Sequence, residues 1–165
     1  MNRDVAIKLL EGICHKINLN CRNLVTLLTG PNCCINSSAE DIFLNHGPQP
    51  TATKNLIHLS QMIRTGQVAK YDYGLQNMLH YGQLIPPIYE MTKIPNEFPL
   101  FFSYGGKDSL SDVNDVHVLL NDLKDHNGNK LVVLFKEDYG HLDFVMSVNA
   151  KQIIYDPLIT FFNVN

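Results

Sequence analysis

Apolar positions recur at helical spacing through the first half of the chain and in short continuous runs through the second. Val5, Leu9, Leu10, Ile13 and Ile17 fall near a helical period, and Leu24, Leu27 and Leu28 carry a second stretch to a stop at Gly30-Pro31. Ser37, followed three residues later by Glu40, has the form of a capping box for a helix through Ile42, Phe43 and Leu44 that Gly47-Pro48 ends. A further helix is expected from about Thr53 to Thr65, with Leu56, Leu59 and Ile63 on one face and Gly66 as its stop. No strand pattern is evident in residues 1–84.

Beyond Pro86-Pro87 the pattern becomes strand, helix, strand, helix. Phe98 to Tyr104 is a short apolar run stopped by Gly105-Gly106, the form of a strand buried on both faces. Val116, Leu119, Leu120 and Leu123 lie at i, i+3, i+4 and i+7, a helix face, and after Asn127-Gly128 the run Leu131 to Phe135 supplies a second buried strand. A helix between two such strands predicts an α/β class with a parallel, right-handed crossover. The last segment, from about Asp143 to Phe162, has helical spacing at Val145, Val148, Ile154, Leu158 and Phe161, and Pro157 within it predicts a kink or break. The chain thus divides into a helical region, residues 1–84, and a strand-bearing region, residues 85–165.

Composition narrows the function classes. At 165 residues the chain is long enough for one sizeable core and short for two. Thirteen basic against sixteen acidic side chains, with no basic run, disfavour a nucleic-acid partner or an anionic membrane surface. The longest apolar runs are about five residues, against the ~20 of a membrane-spanning helix, so no transmembrane segment is expected. Residues 1–8 lack the apolar stretch of a secretory signal. Cys14, Cys21, Cys33 and Cys34 match no zinc-ligand spacing, and no metal or cofactor is expected. Three pairings are possible: the adjacent Cys33-Cys34 would make a strained vicinal bridge, whereas Cys14 to Cys21 closes an easy loop and is favoured, provided the helix breaks near Asn18-Leu19-Asn20. An unbroken helix would hold those Cα atoms about 10 Å apart, beyond bridging distance. Four reduced thiols remain the alternative. Asn36-Ser37-Ser38 is an N-glycosylation sequon, and with the cysteines it suggests an oxidising, secretory-pathway environment.

Candidate chemistry gathers where the two strands end. Ligands and catalytic groups collect beyond the carboxyl ends of parallel strands, and those ends carry Gly105-Gly106-Lys107-Asp108 and Tyr139-Gly140-His141. Adjacent strands would set the loops side by side, so that Asp108 accepts a hydrogen bond from His141, the orienting arrangement of a nucleophile-His-acid triad. Spacing alone also permits Asp108 to serve only its turn and His141 to be an ordinary loop histidine. Asp112 competes with Asp108 as the acid, but Ser111 or Asp112 is better used as the N-cap of the helix carrying Val116, and Asp143 is expected to cap the last helix. His15, His46, His58, His80, His117 and His126 show no ligand spacing. Tyr71, Tyr73, Tyr81 and Tyr89 suit either packing within the helical region or a lipid-facing surface.

These residues carry a family resemblance. Asn36-Ser37-Ser38, His46-Gly47-Pro48, Thr53-Lys54-Asn55-Leu56, Ala69-Lys70-Tyr71-Asp72-Tyr73-Gly74 and Pro86-Pro87-Ile88-Tyr89 resemble the lid region of the acid lipases. Gly105-Gly106-Lys107-Asp108 with Asp112, and His141-Leu142-Asp143-Phe144, resemble the core that follows it. This is the α/β-hydrolase group of gastric and lysosomal acid lipases, and the chain is most similar to the plant triacylglycerol-lipase members. The resemblance implies the carboxyl-terminal part of an α/β-hydrolase fold: a lid at 1–84 and the last two strands of the core at 85–165. It implies that Asp108 and His141 complete a catalytic triad acting on neutral lipid esters, triacylglycerol or steryl ester. The expected location is extracellular, lysosomal or vacuolar, with possible lipid contact through the lid. The family's G-x-S-x-G nucleophile elbow is not formed by any of the ten glycines, and the oxyanion-hole loop is missing too. The alternative is therefore a truncated, non-catalytic remnant that binds lipid or a partner.

Overall fold

A computed structural model describes residues 12, 16, 21–46 and 51–165. Helix α1 (Cys21–Thr29) ends where Gly30 turns the chain at φ 81°, and α2 (Ser37–His46) follows. Because helical geometry already begins at Ser37, the capping position belongs to Asn36, whose Oδ1 accepts the Ala39 N–H at 2.8 Å. That corrects the expected Ser37-Glu40 box by one residue. Helix α3 (Thr53–Thr65) has the expected bounds, and left-handed Gly66 donates its N–H to the Met62 carbonyl at 2.8 Å. None of its residues is buried, so the face bearing Leu56, Leu59 and Ile63 is open rather than packed. Gly47-Pro48 lies outside the described residues.

A single-turn 3-10 segment (Gly74–Gln76) leads into α4 (Asn77–Tyr81). An isolated antiparallel bridge joins Ala69 to Ile88, through Lys70 N to Pro87 O at 2.9 Å and Tyr89 N to Val68 O at 2.8 Å. The bridge is local pairing that an apolar pattern does not signal. It ties together residues on both sides of the point where the sequence changes character.

Strand β1 (Leu100–Gly105), helix α5 (Val113–Asp122) and strand β2 (Leu131–Lys136) form a β-α-β unit in the predicted order. The strands pair in parallel from Leu100 opposite Leu131 to Gly105 opposite Lys136, and no other strand is present among the described residues. Burial on both faces was expected, yet Val132, Val133 and Phe135 are each at least 40% exposed. The reason is geometric: one neighbouring strand and a few short helices cannot cover both faces and both edges of a sheet.

The terminal segment breaks more thoroughly than one proline predicts. Helix α6 (Asp143–Met146) stops at extended Ser147, the chain then widens into π-type turns (Lys151–Tyr155), and α7 (Asp156–Val164) carries Pro157 in its first turn. Proline lacks the N–H of a helix interior and is tolerated where that donor has no intrahelical partner. Leu123, Tyr139, Ala150, Ile154 and Phe161 are the buried apolar residues of this half, with the Phe161 and Phe101 rings 5.5 Å apart between α7 and β1.

Candidate active site

The parallel register brings the ends of β1 and β2 to one edge, so the loops that follow start side by side. Their backbones touch. Lys107 N donates to Tyr139 O at 3.0 Å, and a Cβ on Gly105 would overlap that same carbonyl. Glycine is required there by close approach rather than by φ. The descent places His141 Nδ1 3.0 Å from Asp108 Oδ2. The other oxygen, Oδ1, accepts the N–H groups of Leu110 and Ser111, both at 2.8 Å.

Three hydrogen bonds thus orient the Asp108 carboxylate, whose side chain is 4% exposed, whereas the His141 side chain is 44% exposed. A carboxylate facing Nδ1 selects the tautomer protonated there, which leaves Nε2 able to accept a proton. Asp112, the competing acid, instead accepts Asn114 N at 2.7 Å and Asp115 N at 3.2 Å as the N-cap of α5.

One set of contacts was not legible in the sequence. Residues 29–34, expected only as a helix stop, lie against the His141 loop. Thr29 O accepts His141 N at 2.9 Å, and Asn32 Oδ1 accepts Leu142 N at 3.1 Å. Asp143, expected to cap the last helix, has no such bond within it. Its Oδ2 accepts Gly140 N at 2.8 Å and Cys33 N at 3.0 Å, and its Oδ1 accepts Cys34 N at 3.1 Å. Partners some 110 residues apart leave no periodic trace.

The Sγ atoms of Cys33 and Cys34 are at bonding distance from each other. The expected Cys14 to Cys21 bridge involves Cys14 and the Cys21 side chain, which lie outside the described residues. Cys33, Cys34 and Asp143 are also the one group of metal-ligand atoms that converge among the described residues. Those sulfurs face each other, and both carboxylate oxygens already accept backbone N–H groups.

The other candidates take structural parts. His58 Nε2 meets Ala69 O at 2.8 Å, His80 stacks on Tyr73 with centroids 3.7 Å apart, His117 lies edge-on to Tyr104, and His126 Nε2 meets Phe98 O at 2.9 Å. His15 is outside the described residues. Tyr71, Tyr73 and Tyr81 are half-buried and packed together, with Lys54 Nζ over the rings of Tyr71 and Tyr73 and hydrogen-bonded to the Tyr73 hydroxyl at 2.6 Å. That hydrogen bond holds Lys54 above its ordinary pKa, while the Gly74 N–H, and then the Asn77 amide, hold Asp72 below its own. Tyr89 stays half exposed. A cavity of about 420 Å³ lies in this region, lined by His58, Met62, Ile85, Pro86 and Ile88 among others, and neither Asp108 nor His141 borders it.

No family model matches the chain. It is 50% identical over 155 residues to triacylglycerol lipase 2 of Arabidopsis thaliana, covering 93% of this chain and 37% of that protein. Identity is 40% to triacylglycerol lipase 1 of the same plant, over 96% of this chain and 39% of the relative. The chain is a homologue of the acid lipases. Human gastric triacylglycerol lipase is 33% identical over 147 residues, 87% of this chain and 35% of that protein. This acid-lipase homologue therefore spans little more than a third of the length of its curated relatives. They imply an α/β-hydrolase fold, with which the parallel two-stranded sheet is compatible.

Proposed function

We propose that the chain is the carboxyl-terminal part of a lipid ester hydrolase, with residues 1–84 contributing lid and residues 85–165 completing the core. Asp108 and His141 are the acid and base of its triad, and the observation carrying this is their 3.0 Å contact beyond the ends of two parallel strands. The names of the relatives supply the substrate class, triacylglycerol or a similar neutral ester.

In the reaction a serine outside this chain attacks the ester carbonyl and passes its proton to His141 Nε2. His141 returns that proton to the departing alcohol, then activates water against the acyl-serine. Asp108 holds the ring and stabilises the imidazolium in both half-reactions. The proton transfers through His141 and its orientation by Asp108 require no metal or cofactor.

Transplanting the chain for the homologous segment of Arabidopsis triacylglycerol lipase 2 tests the proposal. The chimera should hydrolyse emulsified triacylglycerol and lose that activity on His141→Ala. A folded chimera that is inactive, or one indifferent to His141→Ala, sinks it.

The missing G-x-S-x-G pattern favours a second reading, a non-catalytic remnant that binds lipid or a partner. Lipid contact would fall to Leu75, Leu79 and Leu84, exposed by 99%, 84% and 74%, rather than to the packed tyrosines. No helix among the described residues is long and apolar enough to cross a membrane.

A secretory-pathway location fits these relatives and the cysteines. Exposed Asn36 uses its Oδ1 for capping, and among the described residues its Nδ2 has no hydrogen-bond partner, as a glycan acceptor requires. Non-reducing peptide mapping of protein made in an oxidising compartment should recover Cys14 linked to Cys21, a small loop whose closure contributes about 2 to 3 kcal/mol in the chain-entropy model. Alkylation of Cys14 and Cys21 as free thiols would retire the bridge and weaken the secretory assignment.

A further inference from the structure

We propose that Asp143 is a positioning residue for His141, acting through the backbone that carries the imidazole. The proposal rests on the triad reading of Asp108 and His141. Asp143 is 0% exposed, and a carboxylate so placed is tolerated only where donors meet its charge. Here the donors are the N–H groups of Gly140, Cys33 and Cys34, at 2.8, 3.0 and 3.1 Å.

The consequence lies in which backbone groups become fixed. The N–H groups of residues 140, 141 and 142 are held in turn by Asp143 Oδ2, Thr29 O and Asn32 Oδ1. Two of those three acceptors belong to residues 29–34, and Asp143 binds that same segment at Cys33 and Cys34. Val148 N adds a bond to Cys34 O at 3.0 Å. One carboxylate therefore fastens the residue before His141 to the segment that also holds His141 and Leu142.

The Asp143 oxygens bond to backbone N–H groups and not to the imidazole; what they set is the position of the His141 backbone. Displacement of the imidazole from Asp108 Oδ2 is thereby restrained, because their 3.0 Å hydrogen bond depends on where the His141 backbone places the ring. A purely architectural role would lower stability on substitution but leave the ring of the folded molecule in its tautomer.

Nitrogen-15 imidazole spectra of the full 165-residue chain separate these roles. In the unsubstituted chain His141 should show one tautomer, protonated at Nδ1. Asp108→Asn should convert it to the tautomer protonated at Nε2, which checks the underlying pair. Asp143→Asn should give a mixture of the two tautomers, in protein whose amide spectrum remains dispersed.

A folded Asp143→Asn chain that keeps the single tautomer, while Asp108→Asn loses it, overturns the positioning role and leaves the triad reading standing. If Asp108→Asn changes nothing, the pair itself fails, and the proposal with it. Amide exchange in the unsubstituted chain decides the matter should Asp143→Asn not fold. The Gly140, Cys33 and Cys34 amides should exchange at least about tenfold more slowly than unbonded loop amides, and equal rates would remove the clamp.

Discussion

Asp108→Asn should lower ester turnover about 10⁴-fold in a lipase carrying this segment, the effect of the same change in the best-studied serine hydrolase triad. An amide in place of Oδ2 can present its NH₂ to Nδ1, which stabilises the wrong tautomer and leaves Nε2 protonated and unable to take the serine proton. The fold should persist, because the oxygen that accepts Leu110 N and Ser111 N can be retained. Asp112→Asn should behave differently. Its carboxylate caps α5, so the expected cost is at most about 1 kcal/mol of stability with turnover retained. Turnover and melting temperature measured for both variants of the chimera check the pair. Activity lost with Asp112 and kept without Asp108 would transfer the acid to Asp112.

Purified alone, the chain should show no lipase or short-chain esterase activity above its His141→Ala variant. Removing the serine of a triad costs about 10⁶ in turnover in a well-studied protease. Among the ten glycines none forms the elbow that would hold such a serine. The oxyanion donors of the family are missing from the sequence as well, and with them a contribution of about 10²–10³. His141 and Asp108 without a nucleophile can polarise water at most. Hydrolysis of a chromogenic short-chain ester and of emulsified triacylglycerol, each compared with His141→Ala, is the measurement. A clear His141-dependent rate would show that another nucleophile serves.

The sequence by itself determined the features whose causes are local. Two apolar runs around a helical face specify a β-α-β unit, and Gly66 ends its helix because a left-handed stop needs no distant partner. The contact between Asp108 and His141 was legible for the same reason: each lies a few residues past a strand, and parallel pairing brings such loops together. Even there the helix start near Ser37 shifted by one residue, since neighbouring polar side chains compete for one cap.

Tertiary structure alone decided the rest. The bonds of Asp143 to Cys33 and Cys34 join residues some 110 positions apart, and hydrogen bonds of that separation impose no period on a sequence. Beside His141 in the sequence Asp143 has the placement of a helix cap, whereas in the fold its acceptor oxygens face another segment. Val132, Val133 and Phe135 are more exposed than their apolar run suggests, for the complementary reason. An apolar run records what a strand is suited to pack against, but only the surrounding chain decides whether that packing is present.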